Sequence, residues 1–211
     1  MKKLGLLFFL FLACSHQYPK HWFEPLKTAD KEWWEIAPDE AKTGEVILSK
    51  RNELGILSNF SHTPFEYRGK RYNSIEGFWQ MMLYPENDRD PRFNNKVKWL
   101  YRREEVALMT AFQAKKAGEL AEENMKALGI DWVSFEGERF TYRSIKPGRH
   151  YQLIFEAMLE KYRQNTEVQK ILLSTGNLKL RADHIQEKGA PPEWRYEELW
   201  MEIRKSYLTI K

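Results

Sequence analysis

The sequence predicts an α+β domain that is predominantly helical, with a small β-hairpin or sheet packed against several helices. Three observations support this fold class. Apolar residues recur at helical spacing in several long segments, short alternating segments lie between them, and glycine or proline separates the two kinds. With 211 residues, the chain is long enough for one domain with a sizeable core and a tail.

The first fourteen residues have the pattern of an export signal. Met1, Lys2 and Lys3 form a short basic start, and residues 4–13 are an almost unbroken apolar run. About ten apolar residues are too few for a membrane-spanning helix, which needs about twenty, but they suit the apolar part of a signal peptide. The segment that ends at Cys14 resembles a bacterial lipobox. The sequence therefore predicts export to the periplasm or outer membrane, with a lipid anchor on Cys14; a cleaved soluble secretory peptide is the alternative.

Residues 15–43 are predicted to be a tether, and residues 44–211 to be the folded domain. The tether carries Trp22, Trp33 and Trp34 among prolines, so we expect it to pack partly on the domain. Without the first fourteen residues, the chain has 32 basic side chains (34 minus Lys2 and Lys3) and 30 acidic ones. This near-neutral balance argues against nucleic-acid binding, except where a modified nucleic acid is the substrate.

The first half of the domain contains the strongest local signals. A strand is predicted after Gly44, and residues 64–72 alternate around Arg68-Gly69 as a β-hairpin does. Ser74 is the predicted N-cap of a short helix that ends before Pro85. Residues 105–128 are predicted to be one long helix with a broad apolar stripe that includes Leu108 and Phe112.

The second half is also mainly helical. Gly129 ends the long helix, and Asp131-Trp132 is predicted to lie in a loop. The remaining predicted elements are a helix over 150–164, a shorter helix over 167–174 with Gly176 as C-cap, an extended run over 178–182, a proline-containing loop over 189–194 and a last helix over 196–208.

Glu76 is the candidate reactive group. It is an acidic residue among Phe78, Trp79 and other apolar side chains, and burying an unpaired carboxylate is costly. Gln80, four residues later, shares its helix face. Such a carboxylate can activate water or stabilise positive charge at an anomeric carbon. A surface or capping carboxylate is the alternative interpretation.

Other reaction types lack their sequence signals. The five histidines are scattered, with no pair at metal-ligand spacing, and the single cysteine excludes a disulfide within the monomer. The sequence has no phosphate-binding loop, dinucleotide fingerprint or nucleophile elbow. We therefore predict neither a metal site nor a cofactor.

Several segments together resemble the NADAR family, also called YbiA-like. The similar segments, which cover about residues 45 to 209, are Leu57-Ser58-Asn59-Phe60, Pro64-Phe65, Ser74-x-Glu76-x-x-x-Gln80, Ala114-Lys115-x-x-Gly118, Asp131-Trp132, residues 158–165, residues 172–177 and Trp200-Met201 with Arg204. The resemblance implies a YbiA-like fold. It also implies an N-glycosidase that hydrolyses the N-glycosidic bond of a ribosyl or ADP-ribosyl compound, for example ADP-ribosyl-guanine.

The resemblance also assigns site residues. It makes Glu76 the catalytic carboxylate, with a small molecule or an ADP-ribosylated nucleotide as substrate. Trp132 and Trp194 are expected to stack on the base, and Lys115 and Lys161 to meet phosphate. The full set of expected substrate-binding residues is Ser58, Asn59, Phe60, Gln80, Lys115, Trp132, Lys161, Thr175, Gly176 and Trp194.

The sequence departs from the family pattern at several of these positions. Gly77 stands where a histidine commonly follows the glutamate, Leu83 replaces a basic residue, and Asn177 replaces an aspartate. The family's D-x-x-W-G segment is represented only by the widely separated Asp183 and Trp194. These changes keep open a non-catalytic nucleotide- or ADP-ribose-binding module of the cell envelope. A structural lipoprotein that acts through its tryptophan-rich tether is a further alternative.

Overall fold

The computed structural model describes residues 18–27 and 31–208. Within these residues, six α-helices and three two-stranded sheets form an α+β fold, as the sequence predicts. The predicted signal segment, including Cys14, lies outside the described residues. No helix in the described ranges is both long and apolar enough to cross a membrane.

The elements follow one another in this order along the chain. The strands are β1 (Glu45–Ile47), β2 (Phe65–Tyr67), β3 (Lys70–Tyr72), β4 (Trp132–Phe135), β5 (Glu138–Thr141) and β6 (Lys179–Arg181). The helices are α1 (Ile75–Met81), α2 (Arg103–Ala107), α3 (Ala111–Leu128), α4 (Arg149–Gln164), α5 (Thr166–Ser174) and α6 (Tyr196–Leu208). Short 3-10 turns cover Lys20–Phe23, Pro38–Glu40, Glu53–Leu57 and Pro192–Trp194.

The sheets join distant and neighbouring parts of the chain. Strands β1 and β6 pair in parallel, with Glu45 opposite Lys179, so the beginning and end of the domain lie side by side. Strands β2 and β3 form the hairpin predicted over 64–72. Arg68 and Gly69 at its turn have φ angles of 50° and 71°, and this pair of left-handed residues is the two-residue turn that a tight hairpin requires.

Helix α1 lies at the centre of the core and contacts α2, α3 and α4. Its apolar side chains Ile75, Phe78 and Met81 are buried, as the predicted helical spacing requires. At its N-terminus, Ser74 Oγ accepts a hydrogen bond from Gly77 N at 2.9 Å, which confirms the predicted cap.

A buried arginine holds the other end of α1. Arg103 donates hydrogen bonds to the carbonyl oxygens of Met81 at 3.0 Å and of Tyr84 at 2.8 Å. A cation is favourable there because the last carbonyls of a helix carry partial negative charge. Burial nevertheless lowers the pKa of Arg103 to about 10. The short helix is thus fixed at both ends by side chains.

The single helix predicted over 105–128 is wrong, because the chain breaks between α2 and α3 at residues 108–110. Asn73 Nδ2 donates to Leu108 O and Ser74 Oγ donates to Met109 O, both at 2.8 Å. These two carbonyl groups therefore accept hydrogen bonds from side chains at the start of α1, and the backbone around them is not helical. Leu108 and Phe112, predicted for the apolar stripe, are 48% and 59% exposed.

The loop predicted at Asp131-Trp132 is also partly wrong, since Trp132 begins strand β4, which pairs with β5 in a second hairpin. Its turn residues, Glu136 and Gly137, have φ angles of 52° and 81°. A residue followed by glycine between two short strands is the same signal as in the first hairpin, so this second hairpin was also predictable from the sequence.

The described part of the predicted tether packs on the domain. Trp22 is 1% exposed, and its indole Nε1 donates to Glu53 Oε1 at 2.6 Å. Glu35 forms an isolated β-bridge with His184. Trp33, by contrast, is 88% exposed.

Candidate active site

Glu76 lies in the first turn of α1 and is 8% exposed. Its backbone N donates to Asn59 O at 2.9 Å, which joins the helix to the Ser58-Asn59-Phe60 segment. Its Oε1 accepts a hydrogen bond from Gln80 Nε2 at 2.8 Å, so the predicted common face of these two residues is confirmed. Among the described residues, none donates a hydrogen bond to Oε2. Gln80 therefore fixes one carboxyl oxygen, while the other has no hydrogen-bond donor among the described residues.

The surroundings of Glu76 favour its neutral form. Burial raises the pKa of the carboxyl above its usual value, while the hydrogen bond from Gln80 and the charges of Lys115, His184 and Lys50 act in the opposite direction. Burial prevails, so Glu76 keeps its proton to a higher pH than an exposed glutamate does. A carboxyl with a raised pKa is better suited than an ordinary glutamate to returning a proton that it has accepted.

Lys50, Asp183 and His184 form a charged cluster beside Glu76. Lys50 Nζ donates to both carboxylate oxygens of Asp183, at 2.7 and 2.6 Å, and His184 Nδ1 lies 3.2 Å from Asp183 Oδ1. Burial acts to raise the pKa of Asp183, but the hydrogen bonds from His184 and Lys50 and the charge of Lys50 outweigh it, and the pKa is lowered. The Asp183 carboxylate therefore stays ionised and holds the Lys50 ammonium group and the His184 ring.

No sequence pattern assigns these three residues to the site. Asp183 was noted only as a distant equivalent of a family aspartate, and nothing near Lys50 indicated a role. The two residues are 133 positions apart in the sequence and meet because β1 pairs with β6. No local pattern contains that information.

One face of α3 forms the opposite side of the site. Lys115 acts on Glu76 through its charge, and Gly118, three residues later, lies against Gln80. A Cβ atom on Gly118 would be 1.9 Å from Gln80 Oε1. Glycine at this position therefore lets Gln80 lie flat between the two helices and reach Glu76.

Gly77 has an equally specific packing reason. A Cβ atom at this position would be 2.5 Å from Met109 O and 2.9 Å from Val106 O. The backbone between α2 and α3 fills the space that a larger side chain would need. The histidine that the family pattern commonly has after the glutamate therefore does not fit here without movement of that backbone.

The predicted residues Asn59 and Phe60 lie beside Glu76. Asn59 Oδ1 and Gln80 Oε1 are buried, and neither accepts a hydrogen bond from the residues that the structure describes. The Phe60 ring lies 5.5 Å from Lys50 Nζ. Buried acceptors of this kind are uncommon in folded proteins, and two of them next to a buried carboxyl point to a ligand site.

Lys161 supports this segment from inside the protein. Its Nζ is fully buried and donates to Ser58 O at 3.0 Å and to Ser61 Oγ at 2.6 Å. Burial lowers the pKa of Lys161 to about 7. The expected contact between Lys161 and a substrate phosphate is not compatible with this position, whereas Lys115 is exposed at the site.

Three other expected residues have partners elsewhere. The guanidinium groups of Arg92 and Arg139 lie over the Trp132 ring, 4.8 and 4.2 Å from its centre. Thr175 Oγ1 donates to Leu172 O and accepts from Arg204 Nη1, both at 2.6 Å. Gly176, next to it, lies against the Tyr18 hydroxyl. None of these partners belongs to the group around Glu76.

Trp194 occupies an intermediate position. Its ring is 6.4 Å from that of Trp79, which precedes Gln80 on α1, and the Arg143 guanidinium lies 5.1 Å from its centre. It is half-buried, and neither of these two neighbours belongs to the group around Glu76. Among the described residues, no group of three histidine, cysteine, aspartate or glutamate side chains could hold a metal ion.

Comparisons with known proteins give a structural similarity. No family model matches the sequence, and no curated protein does. Among solved structures, the NMR structure of the Escherichia coli protein YbiA is similar to this chain. The sequences are 18% identical, the match covers 76% of this chain and 82% of YbiA, and the TM-score is 0.48.

Proposed function

We propose that this protein is an N-glycosidase that hydrolyses the N-glycosidic bond of a ribosyl or ADP-ribosyl compound, with Glu76 as its catalytic carboxylate. The observation that carries the proposal is the state of Glu76. It is buried, its pKa is raised, one oxygen is fixed by Gln80, and no described residue donates to the other. The order of the sequence motifs around Glu76 supports the same assignment.

The reaction needs one proton acceptor and one proton donor. In its ionised form, Glu76 accepts a proton from water as the water oxygen forms a bond to the anomeric carbon. The bond between that carbon and the base nitrogen breaks, and the nitrogen takes up a proton as the base leaves. A raised pKa suits Glu76 to return the proton that it has accepted. Gln80 keeps the carboxyl in one orientation throughout.

Cationic side chains near Glu76 suit a substrate that carries phosphate. Lys115 is exposed on α3, and Lys50 keeps part of its side chain open to solvent while it binds Asp183. Both act electrostatically on Glu76, which places their charges close to the reacting group. Lysine binds phosphate as a mobile point charge, so two such residues give affinity without fixing a single geometry.

The test is the release of ADP-ribose from ADP-ribosylated guanosine by the full chain. We expect release by the wild type and a loss of about 100-fold or more in the Glu76→Gln variant, because general acid–base catalysis contributes about 10² to 10⁴ in rate. Glu66→Gln, which changes an exposed glutamate on β2, is the matched control and should leave the rate unchanged. No release by the wild type, or equal release by Glu76→Gln, contradicts the proposal.

A non-catalytic nucleotide- or ADP-ribose-binding module is the second candidate. Lys161 and Thr175 form hydrogen bonds within the protein, and two guanidinium groups lie over the Trp132 ring. These observations leave fewer side chains for substrate than the family resemblance implies. Tight ADP-ribose binding without turnover, unchanged in Glu76→Gln, would identify this function.

A further inference from the structure

The exposure of Phe112 has no explanation in the core of the protein. Its ring is 59% exposed in the first turn of α3, whereas Ala114, Ala117 and Ala121 on the same helix are fully buried. Helix α3 therefore packs through small residues and leaves its one large aromatic residue in water. An exposed aromatic ring beside a polar site is a common feature of binding surfaces.

The backbone holds Phe112 where it is. Ala111, immediately before it, has a φ angle of 49°, a conformation that non-glycine residues seldom adopt. Ala111 N donates to Phe60 O at 3.2 Å, and the rings of Phe60 and Phe112 meet edge to face, 5.3 Å apart at 81°. Unfavourable backbone conformations are often found at functional sites, where surrounding contacts maintain them.

Each of these two rings belongs to a segment that also contributes to the candidate active site. Phe60 follows Asn59, whose carbonyl accepts the Glu76 N–H. Phe112 precedes Lys115 by three residues, so the two side chains share one face of α3, and the charge of Lys115 acts on Glu76. The aromatic pair thus lies next to the catalytic carboxyl, with the unpartnered acceptor Asn59 Oδ1 close by.

We propose that Phe112, together with Phe60, forms an aromatic wall that binds the planar base of the substrate, and that Phe112 determines the preference for a nucleoside over a bare sugar phosphate. This inference rests on the proposed function, because that function makes the substrate a compound with a base. The binding of a base can nevertheless be measured without turnover. The two rings meet edge to face, and more than half of the Phe112 side chain stays exposed and open to stacking by a planar base. A base on this face is bound by its ring and by hydrogen bonds to the site acceptors.

The experiment is calorimetric titration of the full chain in the Glu76→Gln background, where no turnover disturbs the measurement. Guanosine and ribose 5-phosphate are the two probes. We expect Phe112→Ala to weaken guanosine binding about 10-fold or more, because removal of one stacking ring typically has an effect of this size. Binding of ribose 5-phosphate should stay the same, and Phe112→Trp should restore guanosine binding.

Phe93→Ala is the matched control, since Phe93 is 60% exposed and lies in the loop between α1 and α2. Equal guanosine binding in Phe112→Ala and the parent, equal weakening by Phe93→Ala, or no guanosine binding by the parent overturns the inference. A loss of guanosine binding in Phe112→Ala supports it even if ADP-ribosylated guanosine is not hydrolysed by the wild type. That combination contradicts the catalytic proposal alone.

Discussion

At the scale of single residues, the burial of Glu76 is unfavourable for the stability of the fold. A carboxyl that is nine-tenths buried and has one hydrogen-bond donor is less stable in its ionised form than the same group in the unfolded chain. Asp183 is buried as deeply, but Lys50 and His184 keep its carboxylate ionised. The two carboxyl groups are close in the fold and have pKa values shifted in opposite directions. Such a division is typical of sites in which one group transfers protons and another stays charged.

Glu76→Gln should therefore stabilise the protein at neutral pH. The pKa of Glu76 is raised in the folded state, so ionisation favours the unfolded chain once the pH exceeds 4.5, the ordinary value for glutamate. Below pH 4.5 the carboxyl is neutral in both states, and variant and wild type should be nearly equally stable.

Above that pH the difference should grow until the folded-state pKa is passed, and it should then stay constant at about 1 kcal/mol, a typical gain when an unfavourable site residue is replaced. Urea unfolding between pH 4 and pH 8 measures this difference. Glu66→Gln is again the control. A difference that is largest at pH 4 would show that the raised pKa is wrong.

At the scale of secondary-structure elements, α1 is a seven-residue helix that depends on its neighbours for its position. Helices this short are not stable alone, so the Ser74 cap, the Arg103 hydrogen bonds and the packing of α2 and α3 determine where Glu76 points. The break between α2 and α3 is part of this arrangement, because its carbonyl groups bind Asn73 and Ser74.

Substitutions at Gly77 and Gly118 should have different effects. The first should change the packing of α1 and hence stability, and the second should change the orientation of Gln80 and hence activity. Alanine usually stabilises a helix relative to glycine by up to about 1 kcal/mol. Gly77→Ala should instead destabilise the protein by about 2 kcal/mol and lower its Tm by about 6 °C, since the new methyl group meets backbone carbonyls at 2.5 and 2.9 Å.

Gly118→Ala should change the Tm by less than about 2 °C. Its methyl group meets only the end of the Gln80 side chain, which can move, but that movement breaks the hydrogen bond to Glu76. We expect a lower rate of ADP-ribose release with an intact fold. Thermal unfolding and the release assay, made on both variants, test this pair. Equal stability losses in the two would contradict it.

The local elements could be predicted from the sequence, and the site only in part. The Arg68-Gly69 turn, the Ser74 cap and the Gly129 terminus depend on residues close together in the chain, and all three are present. The break at residues 108–110 could not be predicted, because it depends on side chains from Asn73 and Ser74. The same distinction applies to the site. The pairing of Glu76 with Gln80 is predictable because they are four residues apart, whereas the pairing of Lys50 with Asp183 depends on contacts between distant parts of the chain.

At the scale of the whole molecule, export and lipid anchoring remain a prediction from residues 1–14, which lie outside the described residues. If the full chain is expressed in a bacterium with labelled palmitate, we expect the label on the protein and the protein in the membrane fraction. Cys14→Ala should lose the label. Label that persists in this variant, or unlabelled wild type, would contradict the lipid anchor and leave a cleaved soluble peptide as the better interpretation of the signal.

The pairing of β1 with β6 has a consequence for how the protein is made. A ribosome releases the N-terminal part of a chain first, at about 5 to 20 residues per second, so on the order of ten seconds separate the appearance of Lys50 from that of Asp183, 133 positions later. During this interval the first strand has no partner, and the charged cluster beside Glu76 does not exist. Until residue 183 has been synthesised, the nascent chain therefore lacks both the β1–β6 pairing and the ion pair between Lys50 and Asp183.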